Sequence, residues 1–229
     1  MAESKASQVA TPTWAQGVVQ RTAALWQRLE GQYPFWQSGF AVFYSPVKDQ
    51  AKVVVLGANP GGGPTDFRLR TAAAIPAMHD YFAYDYQLAQ KMRELFAKAG
   101  KTDLLRQSIK LNLNFFRSKD QAEWKKAPLT ARKEMQSHSS REVQDILRRL
   151  KPAIVLTEGA ATFDALRTIL KSVEPSEVVV QSPGGRAYMR AKSPWGGLLI
   201  GVIHPTGAQY SSATWRAVTA ALTNDLVGV

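Results

Sequence analysis

The chain has 229 residues, 45% of them hydrophobic, which suits one α/β domain with a core of its own. It lacks cysteine, which excludes disulfides, thiolate-held zinc, iron–sulfur clusters and a thiol nucleophile, and its three histidines (His79, His138, His204) are too scattered for a metal site. Twenty-nine basic residues against 18 acidic ones give a net charge of +11, which favours a polyanionic partner.

Residues 1–12 carry no apolar signal-peptide core and read as a disordered lead-in to a single domain over 13–229. No apolar run reaches the roughly 18 residues of a membrane span, so a cytoplasmic protein is expected. Thr13-x-x-Gln16 reads as a capping box, and Val18, Thr22, Leu25, Trp26 and Leu29 recur at helical spacing, predicting a helix over 14–30 that ends at Gly31. Residues 32–50 are dense in aromatics, as core packing beside the first strand or as the wall of a binding cleft.

Val53–Leu56 is an uninterrupted apolar run of the kind that forms a strand buried on both faces. Gly57 and then Asn59-Pro60-Gly61-Gly62-Gly63-Pro64 break it, since proline removes a donor and glycines permit close approach of a ligand. In an open α/β sheet, a loop at the carboxyl end of a central strand is where ligands bind. The loop matches neither GxGxxG nor the GK[ST] phosphate pattern.

Residues 61–83 form a long irregular connection, a length usually reserved for function. A helix is predicted from about 85 to Gly100, then a strand over 109–115 with Lys110, Asn112 and Asn114 on one parity. Asparagine is unfavourable in strands, so two of them imply a task at the strand's end. Residues 117–139 are polar and basic around Trp124 and read as an exposed loop over a groove. Residues 101–151 hold 13 basic residues against six acidic ones, seven of the eleven surplus charges.

Ser140 is expected to cap a helix that stops before Lys151-Pro152. Ala153–Thr157 reads as a buried strand, 161–171 as a helix, and Val178–Gln181 and Ala187–Ala191 as two short strands. Leu198–Ile203 is the last core strand, running into His204-Pro205-Thr206-Gly207 and a final helix over 212–226. Four apolar strands alternating with helices predict an α/β fold of three layers, α/β/α, around a mostly parallel four-stranded sheet.

Three segments at strand ends together resemble the uracil-DNA glycosylase superfamily over about residues 50–225. Gly57-Ala58-Asn59-Pro60-Gly61 resembles its first motif in the asparagine form of the mismatch-specific and single-strand-selective branches. Asn112-Leu113-Asn114-Phe115-Phe116-Arg117 resembles the middle segment that reads the base, and His204-Pro205-Thr206-Gly207 the second motif.

The resemblance implies a cofactor-free, metal-free monomeric DNA glycosylase without a lysine nucleophile, which flips a base out of DNA and hydrolyses its glycosidic bond. Asn59 would then hold the attacking water and His204 would stabilise charge on the departing base. Gly57, Ala58, Pro60 and Gly61 would line the base pocket, and Asn112 or Asn114 would read the base edge. Tyr84, with Phe82 and Phe67 as alternatives, would stack on it. Arg117, Lys119, Thr206, Gly207, Gln209 and Tyr210 would contact DNA, with the wedge on Ala208, Gln209 or Tyr210. Asp66 is a further candidate base, while His79 and His138 are expected at the surface or in structural roles.

The departures also carry information. Gly61 stands where the most uracil-restricted branch has a tyrosine, so 5-substituted pyrimidines, including hypermodified phage cytosines, have room. Repair of uracil and defence against phage DNA are both open roles. The altered second motif keeps a non-catalytic binder of modified or abasic DNA as the alternative. A small-molecule nucleotide enzyme is the weaker third reading, because the basic surplus exceeds what a mononucleotide needs.

Overall fold

The structure is a computed structural model that describes residues 11–33, 38–172, 174–206 and 211–229. In chain order the elements are α1 (Thr13–Gln32), β1 (Val53–Gly57), a 3-10 turn (Pro64–Asp66), α2 (Leu69–Ala72), α3 (Asp80–Ala83), α4 (Gln87–Lys98) and α5 (Thr102–Arg106). Then follow β2 (Ile109–Asn112), α6 (Gln121–Lys126), α7 (Leu129–Leu150), β3 (Ile154–Glu158), α8 (Ala160–Leu170), β4 (Glu177–Ser182), β5 (Gly185–Lys192), β6 (Leu198–Val202) and α9 (Ser212–Asp225).

Among the described residues, six strands join one sheet in the order β2-β1-β3-β6-β5-β4, with the first four parallel and the last two antiparallel. The expected four strands are therefore the parallel part of a larger sheet. The two short strands add to it as a hairpin, because β5 pairs with the free edge of β6. β1 is fully buried, as its apolar run requires. Alternate residues of the sheet serve two cores. Val54, Leu56, Leu111 and Val155 pack toward α1, α7 and α8, while Val53, Val55, Leu156 and Ile200 pack toward α4 and α9.

Several local expectations change. Thr13 is helical itself, and Pro12 precedes it without a side-chain cap, so the capping box does not form. The segment 117–139 is not an exposed loop: it holds α6 and the first half of α7, with Trp124 buried at 8% exposure. Ser140 lies inside α7 rather than capping it. β2 ends at Asn112, earlier than the expected 115, and Leu113 and Asn114 instead donate backbone N–H groups to Gly57 and Ala58. The long connection after β1 is punctuated by the 3-10 turn, α2 and α3. The lead-in expectation falls mainly on 1–10, outside the described residues.

The parallel order reverses at β1, which has β2 on one side and β3 on the other. Such a switch point opens a crevice beyond the strand carboxyl ends.

Candidate active site

A cleft of about 1220 Å³ occupies that crevice. Its lining takes one polar contribution after another from the strand ends: Gly57 and Asn59 from β1 and its loop, Asn112 from β2, Glu158 from β3 and His204 just beyond β6. Ala58, Pro60, Gly61, Asp66, Phe67, Tyr84 and Arg117 line it as well. Residues as distant in sequence as Gly57 and His204 thus share one cavity.

Asn59 is exposed to the cleft, and its Nδ2 donates to Pro60 O and Ser118 Oγ, both at 3.3 Å. With its donors so engaged, the amide presents Oδ1 as an acceptor, which suits orienting a water. The loop around it is clamped by Arg117, whose Nε donates to Gly61 O at 3.0 Å. Gly62 has φ +106°, and a side chain there would overlap the Arg117 guanidinium, so the clamp needs a glycine twice over. Arg117, for which the sequence leaves both a phosphate contact and a loop-capping role open, thus supports the loop. Asp66 accepts from Gly63 N at 3.1 Å and sits 3.9 Å from Arg117.

Asn112, 6% exposed, lines the cleft. Asn114 does not: its Oδ1 accepts from Phe116 N at 3.3 Å and Ser139 Oγ at 3.4 Å. The shared parity is broken because β2 ends between them.

His204 accepts at Nδ1 from Thr206, whose backbone N and Oγ1 lie 3.4 and 3.2 Å away. Accepting there places the ring proton on Nε2. Burial lowers the His204 pKa, so the ring is a neutral donor at neutral pH. Thr206 thus orients the histidine and is not among the cleft-lining residues.

Of the aromatic candidates, Tyr84 is 65% exposed on the cleft rim. Phe67 lines the cleft with its ring packed on Trp26 at 4.7 Å and on Phe40 at 5.9 Å. Phe82 is not a lining residue; it lies under Arg106 and against His79. Lys119 is exposed beside the cleft's loop, with its backbone N–H donated to Glu123. Gly207, Ala208, Gln209 and Tyr210 lie outside the described residues. His79 and His138 are buried and structural, bonded to Ser108 and Thr22 respectively.

Sequence reasoning missed a polar group on the cleft wall. Lys110, two residues before Asn112, is 5% exposed, 3.4 Å from Asp80 and 3.1 Å from the Tyr86 hydroxyl, with its ammonium over the Tyr81 ring. Desolvation lowers the Lys110 pKa to about 8 despite the pull of Asp80. The strand parity that singled out Asn112 also marked Lys110. Glu158 was missed too, although it follows an apolar run as Asn59 and His204 do; its carboxyl is buried and its pKa is raised to about 8 by desolvation.

Among the described residues no group of three or more His, Asp or Glu side chains is placed to hold a metal, and no helix is long and apolar enough to cross a membrane. Fold and cleft define an α/β protein with an open cleft at a sheet switch point. No protein-family model and no curated protein matches the chain.

Proposed function

We propose that this protein is a DNA glycosylase that flips out uracil or a 5-modified pyrimidine and hydrolyses its glycosidic bond, leaving an abasic site. The observation that carries this reading is the meeting of Asn59, Asn112 and His204 in one cleft from three different strand ends.

In this reading, exposed cations hold the phosphates and the extruded base enters the cleft, at a cost of a few kcal/mol for unstacking. Tyr84 at the rim offers a stacking face, worth about 1–3 kcal/mol per base. Asn112 reads the base edge. As the C1′–N1 bond lengthens, negative charge gathers on the base, and the neutral His204 donates from Nε2 to its O2. Asn59 Oδ1 accepts a hydrogen bond from the water that attacks C1′. An amide orients water but is a poor base, so turnover is slow compared with an aspartate at that place. Gly61, with open space where a side chain would stand, leaves the base's C5 unguarded.

The test is base release from labelled oligonucleotides carrying uracil, thymine mismatches or 5-substituted cytosines, single- and double-stranded. Alkali-labile abasic sites are expected with the native protein. Asn59→Ala should abolish them while DNA affinity stays within a few-fold. Tight, salt-sensitive binding with no release from any substrate would instead establish a non-catalytic binder of modified or abasic DNA.

A further inference from the structure

β3 delivers Glu158 to the cleft as a residue without an assigned task. It is 3% exposed, and its Oε1 has no hydrogen-bond partner among the described residues. A buried polar atom left unpaired is costly, and in a ligand cavity it is accounted for when the ligand completes the bond. The other oxygen, Oε2, lies 2.9 Å from the point where a Gly57 Cβ would stand, and Asn112 Oδ1 crowds the same point. Gly57 is thus the gap through which a carboxyl and an amide approach each other. Glu158 and Asn112 both line the cleft.

The surroundings keep this carboxyl protonated. Desolvation raises its pKa to about 8, and Asp80 on α3 pushes the same way. Lys110 on β2 is held by Asp80 and Tyr86, and His204 beyond β6 is neutral. A neutral carboxylic acid offers one donor and one acceptor side by side, which an ionised one does not.

Resting on the glycosylase reading, we propose that Glu158 is a catalytic acid for 5-substituted 4-aminopyrimidines, bases of the cytosine type, and not for 4-oxo bases of the uracil type. Its carbonyl accepts from the 4-amino group while its O–H points to the ring N3. A 4-oxo base leaves as an anion spread over two carbonyl oxygens. A 4-amino base has one such oxygen and gains more from a proton. When the C1′–N1 bond breaks, its electron pair passes to N1 and the Glu158 proton passes to N3, so the base departs neutral. Water oriented by Asn59 adds its oxygen to C1′, and the proton it loses restores the Glu158 acid.

The test pairs 5-hydroxymethylcytosine with 5-hydroxymethyluracil in otherwise identical oligonucleotides, so that only the 4-position differs. Native protein should release the cytosine-type base with a rate that falls about tenfold per pH unit once pH passes the Glu158 pKa of about 8. Glu158→Gln keeps a donor and an acceptor but has no proton to give. It should lose that release at least about a hundredfold, a far larger loss than any it shows on the uracil-type base.

The infrared carbonyl band of a protonated carboxyl, present in the native protein at pH 7, should vanish in Glu158→Gln. An unaltered pH profile and rate in Glu158→Gln, an equal loss on both bases, or absence of the band in the native protein would overturn the role of Glu158. Release of the uracil-type base alone would overturn the substrate class while leaving the glycosylase reading intact. No release of either base would overturn this proposal, and the wider panel decides whether the glycosylase reading falls with it.

Discussion

Gly57 illustrates how much of the site hangs on a single absent side chain. Its methyl counterpart would overlap Asn112 Oδ1 and approach Glu158 Oε2, both on strands that pair directly with its own. Gly57→Ala should therefore push two reading groups apart, with an overpacking cost of about 1–3 kcal/mol in stability. Because displacement by about 1 Å in a reacting constellation costs on the order of a hundredfold in rate, base release should fall further than the melting temperature suggests. Release kinetics set beside thermal melts check this; a loss of rate no larger than the loss of folded protein would argue against it. At this scale the sequence drew attention to Asn59, Asn112 and His204, which the structure gathers in one cleft, but passed over Glu158, which follows an apolar run as Asn59 and His204 do. It was a poor guide for Asn114, because where β2 stops is decided by the hydrogen bonds Leu113 and Asn114 make to the loop after β1.

Among the elements, α6 and α7 show why the basic middle of the chain misled. The buried positions of α7 before Val143 are Ala131, Met135, His138, Ser139 and Glu142, of which Met135 alone is large and apolar, so no amphipathic period shows there. The period becomes visible only from Val143 onward, so the helix seemed to start near there. α6 is capped by Asp120, whose side chain accepts from Glu123 N at 2.8 Å, and it ends in the exposed pair Lys125 and Lys126. A short helix fixes those two charges in place more firmly than a loop would. If they bear on phosphates, charge reversal of both should weaken DNA binding and reduce the slope of log affinity against log salt by about 2. Titrations from low to moderate salt measure that slope; an unchanged value would take α6 off the DNA surface.

The parallel layer of the whole molecule was legible, since buried parallel strands announce themselves as continuous β-branched runs. Its antiparallel extension was not, because β4 is mostly exposed and nothing in its residues says which edge receives it. The fold also carries a built-in sensitivity to acid. His79 is buried against Ser108 and Tyr81, and desolvation lowers its pKa to about 4. The unfolded chain takes up a proton at the usual histidine value, so the fold loses stability as pH falls through the interval from about 6.5 to about 4. Melting temperatures should drop across that interval, and a His79→Asn variant should show a shallower drop. Equal slopes would assign the acid limb elsewhere.

Sheet order differs from synthesis order, and that has a consequence for the making of the protein. β6 lies between β3 and β5 in space but leaves the ribosome after both. A nascent chain that has reached β5 holds the asparagines and the glutamate, yet its histidine has still to be made. Until β6 threads into the slot beside β3, the hairpin has no partner and the cleft lacks its fourth wall. The cleft is therefore complete only once this five-residue strand has docked.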